Sequence, residues 1–298
     1  MTDRRIARYY DRLHRWNGVA HVLGYGGGRG RLTVHRALAD PAARGRATTS
    51  RLHDVLIEAL PPLEAPRVLD AGCGLGGTML ELAQRLHAQC VGLTLSHGQA
   101  ATASRAARDA GCESAVRVLV QSYDTPPDGP FELIVAIESL AHSPSPEVSV
   151  RALARVLAPG GLLVVVDDMP EPAAGRSSAQ SSAQSSGQGA DQTDDLTRFK
   201  AGWRCPVLWS RAAYLAAFVD LGLELVVDRD LTQDARPRPL WRIRALESVN
   251  RVVHRTVPSG ALGEVLDSHL AGLALERLTR RGVMHYRLLI ARRSMHRL

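Results

Sequence analysis

A short acidic and glycine-rich run after an apolar segment is the most specific pattern in the sequence. Residues 68–77 read VLDAGCGLGG, so Asp70 directly follows apolar residues, and Gly72, Gly74 and Gly76 come at alternating positions. Glycine tolerates positive φ and lets a ligand approach the backbone closely, as a nucleoside requires at the carboxyl end of a strand. The carboxylate can pair with a ligand ammonium group. A tight structural turn or a dinucleotide-binding loop is the alternative.

A second group of polar residues follows another apolar run. Residues 131–144 read FELIVAIESLAHSP, which places Glu138 and His142 just after a predicted strand. The carboxyl edge of a central parallel strand is where such sheets present reactive groups. A carboxylate can act as a general base, and a histidine titrates near neutral pH. Each also has a structural alternative, Glu138 as a brace for a ligand or a loop amide and His142 as a hydrogen-bonded loop residue.

The elements that position these residues alternate between strands and helices. From Arg67 onward, apolar runs rich in Val, Leu and Ile are separated by helical segments, which predicts an α/β fold with a parallel sheet buried on both faces. We expect a doubly wound, Rossmann-like sheet of seven strands, mostly parallel, that ends in an antiparallel pair. Four regions follow in the chain: an N-terminal helical cap (1–60), a core (61–170), a flexible Ser/Gln-rich segment (171–195), and lid helices with the last two strands (196–298).

Composition limits the class of protein. The 298 residues suffice for a full core, and no apolar run reaches the roughly 18–20 residues that span a bilayer, so an integral membrane protein is not expected. The charged N-terminus lacks the apolar stretch of a secretory signal, which favours a cytoplasmic protein. The net charge of +7 is spread along the chain without interleaved aromatic residues, a poor match for a nucleic-acid surface. The four cysteines lie far apart, which predicts reduced thiols and no zinc site.

Residues 68–77 resemble motif I of class I S-adenosylmethionine-dependent methyltransferases, and later segments agree in order and spacing. The segment VGLTLSHGQA at 91–100 resembles the tocopherol, sterol and terpene C-methyltransferase branch, and it lacks the acidic residue that usually binds the ribose. The resemblance implies S-adenosylmethionine as the cofactor, with neutral hydrogen bonds to its ribose and adenine contacts after the third strand. It implies a cofactor site formed by Asp70, Gly72, Gly74, Gly76, Thr94, Leu95, Ser96, Gln99, Gln121, Ser122 and Ile137.

The segment IESLAHSP at 137–144 resembles one found in sterol and tocopherol C-methyltransferases and in some natural-product O-methyltransferases. This resemblance implies Glu138 and His142 as catalytic residues. If the acceptor is an alkene, methylation leaves a carbocation, which needs electron-rich surroundings and then a base to remove a proton. If the acceptor is a hydroxyl group, His142 is the natural base.

Aromatic residues near the N-terminus resemble the segment of the sterol branch that folds over the substrate. We expect substrate contacts from these residues and from a tryptophan after the Ser/Gln-rich segment: Tyr9, Tyr10, Trp16, Tyr25 and Trp203. Ordinary apolar packing is an equal alternative for them. Arginines could clamp an anionic group, the candidates being Arg29, Arg31, Arg204 and Arg242, and Mg²⁺ is expected only if the substrate is a diphosphate.

The sequence therefore predicts a transferase of secondary metabolism that methylates a carbon of an isoprenoid-like alkene, such as a prenyl diphosphate, a sterol or a related lipid. Two alternatives stay open. One is an O- or N-methyltransferase of a sugar or another bacterial secondary metabolite, and the other is a cofactor-binding protein without catalysis. A small-molecule acceptor is the expected partner, nucleic acid is not, and a homodimer is left open.

Overall fold

The computed structural model describes residues 3–15, 32–171, 186–256 and 260–295, and one seven-stranded sheet forms its centre. Its strands are β3 (Arg67–Ala71), β4 (Gln89–Thr94), β5 (Val116–Val120), β6 (Phe131–Ile137), β7 (Leu157–Pro170), β8 (Leu223–Asp230) and β9 (Met284–Arg293). Their order is β5-β4-β3-β6-β7-β9-β8, in which β9 is antiparallel to both neighbours and the remaining pairs are parallel. The predicted sheet, mostly parallel with an antiparallel end, is confirmed.

Helices cover the sheet and extend beyond its carboxyl edge. They are α1 (Asp3–Arg15), α2 (Ser50–Ala59), α3 (Gly77–Leu86), α4 (His97–Asp109), α5 (Pro146–Val156), α6 (Ser186–Gly202), α7 (Arg211–Asp220), α8 (Leu240–Thr256) and α9 (Ala261–Arg280), with a 3₁₀ turn at Leu140–His142. None of the described helices combines the length and the apolar character needed to cross a bilayer.

An apolar layer packs on each face of the sheet, because neighbouring residues of a strand point to opposite faces. On β3, Val68 faces the layer that contains Leu56 of α2 and Met79 of α3. The next residue, Leu69, faces the other layer with Leu153 of α5 and others. Burial on both faces explains why the central strands are nearly continuous apolar runs.

The N-terminal region differs from the predicted helical cap. Between α1 and α2, the strands β1 (Leu38–Asp40) and β2 (Arg46–Thr48) form a small antiparallel hairpin. Asp40 closes it, because its carboxylate accepts hydrogen bonds from the Ala42 amide at 2.9 Å and the Thr48 hydroxyl at 3.0 Å. Strands of three residues are too short to show alternation, so the sequence pattern could not indicate them.

The Ser/Gln-rich segment also differs in its C-terminal part from the prediction of a flexible stretch at 171–195. Residues 172–185 lie outside the described residues, but α6 begins at Ser186 and is continuous to Gly202. Asp195 is buried there and pairs with Arg277 of α9 at 2.5 Å. Composition alone could not reveal this partner, because it lies 82 residues away in sequence.

Candidate functional site

A cavity of about 640 Å³ lies at the carboxyl ends of the central strands. One wall carries the ends of β3, β4, β6 and β7, which is where parallel sheets place their ligands. The other lining residues come mainly from α1, α6, α9 and the segment 32–37. The sheet therefore supplies the polar floor of the cavity, and the added helices supply its roof.

The glycine-rich loop between β3 and α3 brings the ends of β3 and β6 into contact. Gly72 has φ of +107°, and a Cβ there would lie 2.5 Å from the Cβ of Ser139, the residue after Glu138. Gly76 has φ of +88° and precedes α3, where a Cβ would meet Ala103 of α4 at 2.9 Å. Neither position can hold a side chain without displacing its neighbour, which explains the two glycines.

Asp70 lies at the end of β3 and lines the cavity. It is only 3% exposed, and within the described part of the chain its carboxylate receives no hydrogen bond. Burial raises the pKa of this carboxyl group to about 7. A buried acceptor without a donor fits a ligand that brings its own cation, such as the ammonium group of a methionine moiety.

The other predicted cofactor residues divide into two groups. Those that line the cavity beside Asp70 are Gly72, Gly74, Thr94, Leu95, Gln99, Gln121, Ser122 and Ile137. Ser96 does not, because its buried hydroxyl accepts a hydrogen bond from the Gln99 amide at 3.1 Å and donates one to Asp11 of α1. Gly76 is also absent from the lining, since it packs on α4. Ser96 and Gly76 therefore lie outside the cavity lining and contact α1 and α4, respectively.

Neutral groups occupy the end of β4, where the sequence has no acidic residue. The Thr94 hydroxyl donates to Gln99 Oε1 at 2.7 Å, so the two side chains hold each other. The Gln121 side-chain amide donates to the backbone carbonyl of Thr125. This end of the cavity can offer hydrogen bonds to ribose or adenine without adding charge.

Glu138 stands at the end of β6 in an unusual backbone conformation, with φ of +50°. Such a conformation is costly for a residue with a side chain and is typical of functional sites. Its Oε1 accepts two hydrogen bonds, from the Arg36 amide at 2.8 Å and from the Tyr286 hydroxyl at 2.8 Å. No described residue donates to Oε2. The carboxylate is thus anchored through one oxygen, with the other available to the cavity.

The pKa of Glu138 is raised above its ordinary value because burial disfavours the charged form. The Arg36 amide, the Arg36 guanidinium and the Tyr286 hydroxyl act in the opposite direction and lower it. Glu138 is therefore a stronger base than a solvated carboxylate, and its donors keep it ionisable.

Two further carboxylates, Asp167 and Asp168 of β7, line the same part of the cavity. Asp168 pairs with the Arg36 guanidinium at 3.3 Å. That guanidinium also lies over the Tyr286 ring, 5.3 Å from its centroid. Asp167 accepts a hydrogen bond from the Ala141 amide at 3.1 Å. Burial raises the pKa of Asp168 to about 7 and that of Asp167 well above its ordinary value. The end of the cavity around Glu138 is rich in carboxyl groups.

Sequence reasoning missed Arg36, Asp167, Asp168 and Tyr286. The acidic pair ends an apolar strand, the same signal that indicated Asp70, and could have been found. Arg36 could not be found from the sequence, because its backbone amide reaches Glu138 only when the loop that carries it is held in place by contacts with other parts of the chain. The Leu32 carbonyl accepts from the Gly77 amide at 3.2 Å.

His142 also lines the cavity, and its Nε2 is hydrogen bonded to the Tyr10 hydroxyl. The two rings meet edge to face, with centroids 5.4 Å apart. Burial lowers the pKa of His142 to about 4. A neutral imidazole with so low a pKa is a weak base at physiological pH.

The predicted aromatic substrate residues lie where the roof helices meet. The Tyr9 hydroxyl donates to the Gly202 carbonyl at 3.1 Å and is hydrogen bonded to the Ser268 hydroxyl at 3.2 Å, and Trp203 donates to the Ser268 carbonyl at 2.9 Å. Tyr9, Tyr10 and Trp203 line the cavity, so they combine helix packing with a place in its wall. The remaining two, Trp16 and Tyr25, lie outside the described residues.

Of the four arginines considered for an anion clamp, Arg242 lines the cavity. Arg204 instead packs its guanidinium over the Tyr9 ring at 5.7 Å, and Arg29 and Arg31 lie outside the described residues. Within the ranges that the structure describes, no group of three His, Cys, Asp or Glu side chains is arranged to hold a metal ion.

Comparison with known proteins adds the chemical class. Residues 69–165, which include the Asp70 loop and Glu138, match the family model described as "Methyltransferase domain". This part of the chain is therefore similar to a methyltransferase domain. A probable chloroplastic tocopherol O-methyltransferase of Oryza sativa subsp. japonica is 37% identical to the chain over 127 residues, which are 41% of the chain and 35% of that protein. The chain spans less than two thirds of the length of the curated relatives that it matches.

Solved structures resemble the methyltransferase domain together with its added helices. The [4+2]-cyclase SpnF is 21% identical with a TM-score of 0.72, and the match covers 99% of this chain and 97% of that one. Geranyl diphosphate C-methyltransferase from Streptomyces coelicolor A3(2) is 22% identical with a TM-score of 0.68, covering 98% and 97%. At such identities the likeness shows the fold. With the family match, it confirms the resemblance and the Rossmann-like fold predicted from the sequence.

Proposed function

We propose that this protein transfers the methyl group of S-adenosylmethionine to a small molecule, with Glu138 as the general base. The observation that carries the proposal is the half-buried Glu138 carboxylate, held through one oxygen in a cavity that Asp70, Thr94 and Gln99 also line. Asp70 would hold the methionine ammonium group, and Thr94 and Gln99 lie where the ribose is expected. When bound, S-adenosylmethionine supplies an electrophilic methyl group on a sulfonium.

The residues of the chain then have three tasks. They must hold the acceptor about 3 Å from the methyl carbon in line with the breaking bond, exclude water, and accept a proton. The roof formed by α1, α6 and α9 can exclude water from the cavity. Glu138 and His142 are the two candidates for accepting the proton, and they differ in basicity. Burial strengthens the carboxylate as a base and weakens the imidazole, so we assign proton removal to Glu138.

For the acceptor, we propose an isoprenoid-like alkene that is methylated on carbon. The alkene electron pair forms the new bond to the methyl carbon, the bond from that carbon to sulfur breaks, and a carbocation remains. The carboxyl groups of Glu138, Asp167 and Asp168 and the rings of Tyr10 and Trp203 suit such a cation. Glu138 then removes a proton from the adjacent carbon, which restores a double bond.

O- or N-methylation is the second candidate. In that case Glu138 would accept the proton of a hydroxyl or amine as the new bond forms. The name of the rice relative favours this candidate, since that protein is described as an O-methyltransferase.

The test combines product analysis with a matched pair of variants. The protein is incubated with S-adenosylmethionine carrying a ¹³C-methyl group and with prenyl diphosphates (with and without Mg²⁺), sterols, tocopherols and hydroxylated or amino acceptors. The methyl chemical shift in the product distinguishes carbon-, oxygen- and nitrogen-bound methyl groups. Glu138→Gln should lower kcat/KM about 10²–10⁴-fold and leave cofactor affinity within a few fold.

Glu132→Gln is the control, because Glu132 is an exposed residue on the same strand. Unchanged turnover in Glu138→Gln would remove the general-base assignment. Failure of S-adenosylmethionine and S-adenosylhomocysteine to bind the protein would overturn the proposed function itself.

A further inference from the structure

Helix α8 carries an apolar stripe on its solvent-exposed side that methyl transfer does not use. Trp241 is 71% exposed, Val249 is 62% exposed and Val252 is 61% exposed, and Ala245 between them is also exposed. Their spacing of four, four and three residues places them on one side of a helix. We call these four residues the α8 stripe.

The packing of α8 fixes the direction in which the α8 stripe points. On its opposite side Ile243 is fully buried, and Asn250 is hydrogen bonded to His269 of α9 at 2.8 Å. Glu247 is buried as well and pairs with Arg277 of α9 at 2.8 Å. The helix cannot turn the stripe inward without breaking these buried polar contacts.

Arginines border the α8 stripe. Arg242, Arg244 and Arg251 are exposed. Arg251 is paired with Glu247, the acidic residue of the helix, at 2.7 Å, so the positive charge beside the stripe comes mainly from Arg242 and Arg244. The exposed half of α8 therefore combines apolar residues, one of them tryptophan, with positive charge. This combination is typical of helices that lie in the interface of an anionic bilayer.

The α8 stripe begins beside residues that line the cavity. Arg242 lines the cavity, and so do Pro237 and Arg238 just before the helix. A bilayer that binds the stripe would therefore lie close to this part of the cavity wall.

We propose that the α8 stripe and its flanking arginines bind the protein to an anionic lipid surface. A second copy of the chain fits this face less well. A two-fold contact through the stripe would bring the arginines of both copies together, and like charges repel. The proposal concerns binding alone and goes beyond the proposed methyl transfer.

The test uses the full chain without any methyl donor, so that its outcome is independent of catalysis. Binding is measured by co-sedimentation with vesicles of phosphatidylcholine mixed with phosphatidylglycerol and with vesicles of phosphatidylcholine alone. The variants are Val249→Asp and Val252→Asp. Val219→Asp is the control, because Val219 lies on α7 and is 76% exposed. Thermal melting checks that each variant is folded.

We expect binding to the anionic vesicles that weakens with added salt, because salt screens the arginines. Val249→Asp and Val252→Asp should each lower the partition coefficient about tenfold or more, since burial of a valine side chain is worth roughly that factor. Val219→Asp should bind as the unchanged protein does.

Three results would overturn the proposal. The first is no preference for the anionic vesicles. The second is equal binding by the α8 variants and the control. The third is a dimer in analytical ultracentrifugation that Val249→Asp dissociates, which would assign the α8 stripe to a second copy of the chain.

Discussion

Replacing Asp70 with asparagine should stabilise the ligand-free protein and weaken its hold on the cofactor. The reason is that Asp70 is a buried carboxylate to which no described residue donates, and under the proposed function its cationic partner comes from the ligand. Burial raises the pKa of Asp70 from 3.8 to about 7, so ionising it in the folded protein costs free energy that ionising it in the unfolded chain does not. Asparagine has similar shape and no charge to ionise.

The size and the pH range of this effect follow from the pKa values. Between pH 3.8 and about 7, Asp70 is protonated in the folded state and ionised in the unfolded state. The free energy of unfolding therefore falls as the pH rises through this window. The difference between 3.8 and about 7, at about 1.4 kcal/mol for each pH unit, sets an upper bound of about 4 kcal/mol. We expect Asp70→Asn to gain about 2–4 kcal/mol over the unchanged protein near pH 8 and little near pH 4.

Urea denaturation of both proteins across this pH range measures the gain as a difference, which removes the contributions of other titrating groups. Asp128→Asn, which removes an exposed carboxylate, is the control. Isothermal titration with S-adenosylhomocysteine should show affinity at least tenfold lower for Asp70→Asn, because a charge-assisted pair is lost.

Two results would refute this reasoning. A stability difference that does not depend on pH would mean that burial does not raise the pKa of Asp70 in the ligand-free protein. Unchanged affinity for S-adenosylhomocysteine would mean that Asp70 does not bind the ammonium group.

Two further predictions concern buried polar contacts. Tyr286→Phe keeps the ring but removes a donor to Glu138 worth about 1.5–3 kcal/mol, so the pKa of Glu138 rises and the acidic limb of the kcat/KM profile should move to higher pH. An acidic limb at unchanged pH would mean that the Tyr286 hydroxyl does not lower the pKa of the base. Asp195→Ala removes a partner of the buried Arg277 and should lower the free energy of unfolding in urea by about 3 kcal/mol. A loss below about 1 kcal/mol would show that Glu247 alone satisfies Arg277.

Local patterns in the sequence determined the order of the core strands and helices, the glycine-rich loop and the polar residues at the strand ends. Periodicity of apolar residues and the conformational freedom of glycine act over a few residues, so they can be read without the fold. For the same reason Asp70 and Glu138 could be selected as candidate site residues, since each directly follows a run of apolar residues.

The tertiary structure decided what those residues can do. Glu138 is anchored by Tyr286 and Arg36, which lie 148 and 102 residues away in sequence. His142 is half-buried against Tyr10 of α1 and is weakened as a base, and Ser96 is hydrogen bonded to residues of α4 and α1 instead of facing the cavity. Hydrogen-bond partners and pKa values depend on burial and on contacts between distant segments, and these exist only once the chain has folded.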